Sequence, residues 1–92
     1  VYMEFPDIYP KYKGKPVLPK KRTIQELEEE GLDMDDVVRI LEDGFDCERS
    51  RRRAGIEERC MQKKDAIFKV VVEDMGDYWK LIHAGSFKRR FR

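Results

Sequence analysis

The chain has 92 residues, the size of one domain, and no apolar run approaches the ~20 residues that a membrane-spanning helix needs. Charged residues make up 42% of it and hydrophobic residues 40%, yet the net charge is only +1, so self-repulsion gives no case for disorder. Asparagine is absent and glutamine occurs twice, a composition that fits a protein from a hot environment.

The charge is unevenly placed. Residues 1–46 carry seven Lys/Arg against twelve Asp/Glu, and residues 47–92 carry thirteen against seven. A basic face on a nearly neutral protein, or head-to-tail attraction between two copies, are both consistent with this. With no apolar N-terminal stretch resembling a signal peptide, the expected location is cytoplasmic. That location argues against a disulfide between Cys47 and Cys60, hyperthermophiles excepted, and leaves open whether the two thiols are free. Two cysteines and one histidine are poor material for a four-ligand zinc site, so no metal and no cofactor are expected.

In chain order, residues 1–20 hold all four prolines, at 6, 10, 16 and 19, among the apolar side chains of Tyr2, Phe5, Ile8, Tyr9 and Tyr12. Proline removes a backbone donor and restricts its predecessor, so this stretch reads as an extended arm packing its aromatics on the domain or on a partner. Residues 21–86 then form a single α+β domain, and 87–92 a basic tail. Thr23-Ile24-Gln25-Glu26 has capping-box spacing, predicting a short helix from about Ile24 to Glu30, ended by Gly31, with Ile24 and Leu27 on its apolar side. The second helix is better specified. Asp33 is an N-cap with Asp36 in the reciprocal position, Met34, Val37, Val38 and Leu41 fall on one helical face, and Gly44 ends it. These acids are accounted for by capping and solvation.

Phe45 and Cys47 read as the start of a strand or of an Arg-rich loop. Glu57–Gln62 alternates weakly, and Lys63-Lys64-Asp65 is a polar turn. Ile67–Glu73 and Tyr78–His83 read as a hairpin around Asp74-Met75-Gly76-Asp77. Phe68, Val70 and Val72 are expected to face the core with Trp79 and Leu81, which puts His83 at the end of the same face or at its rim. Ala84-Gly85 is expected to break the strand. The fold class that follows is α+β, two short helices packed on a small antiparallel sheet.

Few residues carry chemistry. His83 is the one histidine and the candidate base, with Arg59 and Lys69 as phosphate clamps. Arg49, Arg51, Arg52, Arg53, Lys63, Lys64, Lys88, Arg89 and Arg90 form a basic set suited to phosphate contact, and Phe87, Phe91 or Tyr78 could stack on unpaired bases. RNA or an acidic protein are the partners this set implies, with a homodimer as a further option.

The stretch ELEEEGLDMDDVVRILEDG, the basic segment after it and the hairpin IFKVVVEDMGDYWKLIHAGSF resemble a family of small prokaryotic proteins related to the RelE, ParE and BrnT toxins. The resemblance covers about residues 22–86. The pattern of its second helix falls on Asp33, Asp36, Val37, Leu41 and Gly44, and its hairpin on Val70, Val71, Val72 and the strand from Tyr78. It implies a RelE-like α+β fold, and in some relatives cleavage of translated mRNA. On this chain the parts of an RNA-cleaving site would fall to Arg51, Arg59, Lys69 and His83. Where that family often has a His followed by an Arg, this chain has Lys20-Lys21-Arg22-Thr23. The functional expectation is a non-catalytic binding or assembly module with a basic face, the alternative being a toxin-like endoribonuclease or another nucleic-acid-directed protein.

Overall fold

The computed structural model describes residues 9–47 and 53–88. Eight elements follow in order: β1 (Lys11–Tyr12), β2 (Lys15–Pro19), α1 (Lys21–Glu30), α2 (Met34–Asp43), β3 (Phe45–Asp46), β4 (Ile56–Lys63), β5 (Ala66–Asp74) and β6 (Trp79–Lys88). The strands form one six-stranded sheet in the order β1-β2-β6-β5-β4-β3. The sheet is mixed, not purely antiparallel as the sequence suggested, because β2 runs parallel to β6, Val17 opposite Trp79. The two helices pack on it, and it curls into a half-barrel. Tyr12 on β1 shows the curl directly. Its hydroxyl donates to Glu57 of β4 at 2.8 Å, although β2, β6 and β5 lie between these strands in the sheet.

The second helix forms as its sequence dictates. The Asp33 carboxylate accepts from the Asp36 N–H at 2.8 Å, and the Asp36 carboxylate accepts from the Asp33 N–H at 2.9 Å. Val37, Val38, Ile40 and Leu41 are buried and meet Val70, Val72 and Leu81 of the sheet in one core cluster. Gly44 ends the helix at φ −75°, donating to the Ile40 carbonyl at 2.9 Å. A side chain there would be blocked: a Cβ would lie 2.5 Å from the Cys60 carbonyl oxygen and closer still to that of Ile40. Glycine is what lets α2 end against β4.

The first helix departs from its expected cap. It starts earlier, with Lys20 as N-cap, and Thr23 lies inside the first turn. The fully buried Thr23 hydroxyl accepts from the Lys20 N–H and donates to the Lys20 carbonyl, at 2.7 and 2.8 Å. Thr23 and Leu27 therefore face the core, and Ile24 is exposed. Glu26 is released from capping and reaches β6 instead.

Residues 11–19, expected as part of an arm, are built into the sheet as a hairpin, with Lys13 and Gly14 both at positive φ in its turn. Tyr12 is buried against Trp79, their ring centroids 5.5 Å apart, and its carbonyl accepts from the Trp79 indole N–H at 2.9 Å. Pro16 lies before the pairing of β2 with β6, which begins at Val17, and Pro19 is the last residue of that pairing, the positions at which a strand accepts proline. Tyr2, Phe5 and Ile8 lie outside the described residues.

Nor does β6 stop at Ala84. It pairs with β5 as far as Lys88, so residues 87 and 88 continue the strand. A bulge makes this possible: Val72 lies opposite Leu81 but Val71 opposite His83, so Ile82 is the extra residue. The bulge resets the alternation. Ala84 joins the core, and His83 leaves the face of Trp79 and Leu81 on which period-two counting placed it.

Candidate functional site

A groove of about 790 Å³ opens at the seam of the half-barrel. The β1–β2 turn brings Tyr12 and Lys13, the end of α2 brings Leu41 and Glu42, and the start of β4 brings Arg53, Glu57 and Arg59. Its charges are of both signs and mostly satisfied within the molecule. The Lys13 ammonium is 3.1 Å from Glu57, and the Arg59 guanidinium donates to the Asp46 carboxylate at 2.9 Å and to the Gly44 carbonyl. Burial and the neighbouring Glu57 carboxylate raise the Tyr12 hydroxyl above the usual tyrosine range. The same carboxylate, through its hydrogen bond, raises Lys13. At neutral pH the groove thus holds a neutral phenol and a protonated Lys13.

Strand register separates Arg59 from the other two residues assigned to a catalytic site, Lys69 and His83. Arg59 lies opposite Val70, on the helix-covered face. Lys69 and His83 belong to the other face, His83 opposite Val71 and Lys69 opposite Gly85. Each has a carboxylate neighbour. The Lys69 ammonium is 3.7 Å from Glu58, and His83 Nδ1 is 3.4 Å from Glu26, whose other oxygen accepts from the Ala84 N–H at 3.2 Å. Of the cations assigned to flank His83, Lys69 shares its face, Arg59 does not, and Arg51 lies outside the described residues.

The basic set divides in the same way. Arg53 is at the groove, the full length of β4 away from Lys63. Lys63, Lys64 and Lys88 gather at one end of the sheet, because Ala66 pairs with Lys63 on one side and Lys88 on the other. Lys64 is in the intervening turn at φ 58°. All three are exposed, and among the described residues none is held by a carboxylate, whereas Lys13, Lys15, Arg59 and Lys69 all are. Arg49, Arg51, Arg52, Arg89 and Arg90 lie outside the described residues, as does Phe91.

Cys47 and Cys60 form a disulfide, which overturns the expectation drawn from a reducing compartment. It ties the chain after β3 to the middle of β4, next to Asp46 and Arg59. The sequence carries the pair but nothing that brings the two together. Among the described residues no three His, Cys, Asp or Glu side chains gather as a metal site would require, and no helix is long and apolar enough to cross a membrane. The sequence reading also missed Tyr12, Lys13, Glu57 and Glu26. Their roles depend on contacts between residues 44 to 58 positions apart, which no local motif signals. No family model, no curated protein and no solved structure matches the chain.

Proposed function

We propose that the protein is a non-catalytic binding or assembly module, and that its basic end, Lys63, Lys64 and Lys88, meets an acidic protein surface. The observation that carries this reading is the convergence of Lys88 on the neighbouring pair Lys63 and Lys64, none of the three neutralised by a carboxylate among the described residues. The order of two helices followed by an antiparallel run of strands supports a RelE-like reading of the fold. The toxin-like alternative draws no support from the site, since Arg59 is on the opposite sheet face from His83 and Lys69.

Three phosphate contacts on a single strand, from Lys63, Lys64 and Lys88 alone, would give a salt slope of about 2. An acidic protein surface needs fewer cations, because apolar contact supplies the remainder.

Fluorescence anisotropy with a labelled polyglutamate peptide and a labelled single-stranded RNA tests the reading. The peptide is expected to bind in a salt-sensitive manner, and Lys63→Gln/Lys64→Gln to weaken it with the melting transition unchanged. A double variant that binds the peptide as the parent does would refute the site. Tight RNA binding with a salt slope well above about 2 would transfer the function to the nucleic-acid reading.

A further inference from the structure

The last part of β6 has a strand on only one side. β5 pairs with it throughout, from Trp79 to Lys88, whereas β2 reaches only Trp79–Leu81 on the other side. The direction of the backbone groups beyond that point follows from the Ala84 N–H, which turns away from β5 to the Glu26 carboxylate. With a period of two, Ser86 and Lys88 turn their N–H and C=O groups to the same open side. An edge of this kind is a template for another strand, and proteins commonly blunt it with charge, proline or a covering helix. Here the Glu26 side chain blunts Ala84, and no described residue takes up the Ser86 N–H.

We propose that this edge pairs with the same edge of a second copy of the chain, antiparallel about Ser86, to make one continuous sheet through both molecules. The proposal rests on the assembly reading above, of whose basic end it uses Lys88 alone. Three matches select this occupant and register. Ser86 opposite its own copy lets the two outward N–H and C=O groups bond reciprocally, as a twofold axis requires. Phe87, 52% exposed, then falls opposite Gly85 of the second copy, which has no side chain to obstruct it. An aromatic ring across from a strand glycine covers the exposed backbone, and the imidazole of His83, which overhangs Gly85, supplies a surface for that ring. Lys88 falls opposite Ala84 of the second copy, where the Ala84 N–H is already taken by Glu26, so this rung is held by the ion pair of Lys88 with the Glu26 carboxylate and the reciprocal backbone bonds are those of Ser86. Glu30, which accepts from the Ser86 hydroxyl, adds a further acid beside the axis. The acidic face of α1 and the basic end of β6 thus complement each other twice, the spatial counterpart of the charge division along the chain.

Sedimentation velocity on the full chain, over a range of micromolar concentrations, tests this. The expected result is a dimer that weakens as salt is raised. Ser86→Pro removes the outward N–H and spares the β5 pairing, and is expected to give a monomer with an unchanged circular dichroism spectrum. Lys88→Glu is expected to raise the dimer Kd by about tenfold or more, and Glu26→Lys/Lys88→Glu to recover part of the loss. A parent protein that stays monomeric throughout overturns the proposal. So does a folded Ser86→Pro variant that dimerises like the parent. Should Ser86→Pro fail to fold, Lys88→Glu decides, and an unchanged Kd overturns the proposal. Lys63 and Lys64 play no part in this edge, so loss of peptide binding and loss of the dimer are separate results.

Discussion

Replacing Gly44 with alanine adds one methyl group where the end of α2 meets β4. Its φ of −75° suits any residue, so the substitution carries no backbone penalty and the cost is purely steric. The new Cβ would lie 2.5 Å from the Cys60 carbonyl oxygen and nearer still to that of Ile40. Both obstacles are backbone, one fixed in a helix and one in a sheet. Neither can rotate aside. Relief requires α2 and β4 to separate, which strains the Gly44–Ile40 hydrogen bond and the Arg59 contact with the Gly44 carbonyl. Overpacking of this kind costs about 1–3 kcal/mol. In a domain of this size each kcal/mol lowers Tm by about 4–8 °C. Gly31→Ala serves as the contrast, because space there is open and φ is +68°, so its penalty of about 1 kcal/mol is conformational alone. Urea unfolding of the oxidised protein, followed by circular dichroism, gives both values. A Gly44→Ala variant within about 0.5 kcal/mol of the parent would refute the close approach, since that is the ordinary range for surface changes.

Leu41, 1% exposed at the centre of the core, should cost about 2–5 kcal/mol when cut to alanine, as measured by the same unfolding curve. Reducing the Cys47–Cys60 disulfide, or replacing both cysteines with serine, should cost about 2–4 kcal/mol and shift the urea midpoint accordingly; an unchanged midpoint would show that the link does not constrain the unfolded chain. The folded protein raises the Tyr12 pKa, so that contribution to stability is fully present below the unfolded tyrosine value of about 10 and is lost as pH rises through the higher folded value. Thermal melts between neutral and strongly alkaline pH should show this loss, and Tyr12→Phe should remove it. For Asp74, which the Lys15 ammonium and the Gly76 N–H hold below the usual carboxylate range, the sign is reversed: its contribution is present above the unfolded value and fades as pH falls through the folded one, so Lys15→Met should flatten the acid limb of the stability profile.

The parts of the fold that were legible in the sequence are those fixed by local chemistry. Asp33 with Asp36, followed by Val37, Val38 and Leu41 at helical spacing, specifies α2 without reference to the rest of the chain. The β-branched run of β5 and the Asp-Met-Gly-Asp turn specify the central hairpin equally well. Errors arose where a distant residue competes with a local rule. Thr23 has the spacing of an N-cap, but burial against the sheet makes it an interior residue of the first turn. Pro16 and Pro19 argue against a strand, yet Pro16 lies before the pairing of β2 with β6 and Pro19 ends it. His83 is misplaced by counting in twos, because a single extra residue at Ile82 turns the rest of β6 over, and composition carries no trace of a bulge. The site suffered most, since the face occupied by Arg59, Lys69 or His83 is a matter of register between strands.

The parallel pairing of β2 with β6 has a kinetic consequence. Val17 meets Trp79 across a separation of two-thirds of this sequence, so the β1–β2 hairpin has no sheet to join until β6 has been made. The loop-closure entropy of that pairing is met before any of its contacts are gained, and such long-range closures slow folding. During synthesis, the hairpin, α1 and α2 emerge with their apolar faces uncovered and wait for β5 and β6. Tyr12, whose burial needs Trp79, is then among the last side chains to leave water, and its packing marks the step at which the half-barrel closes.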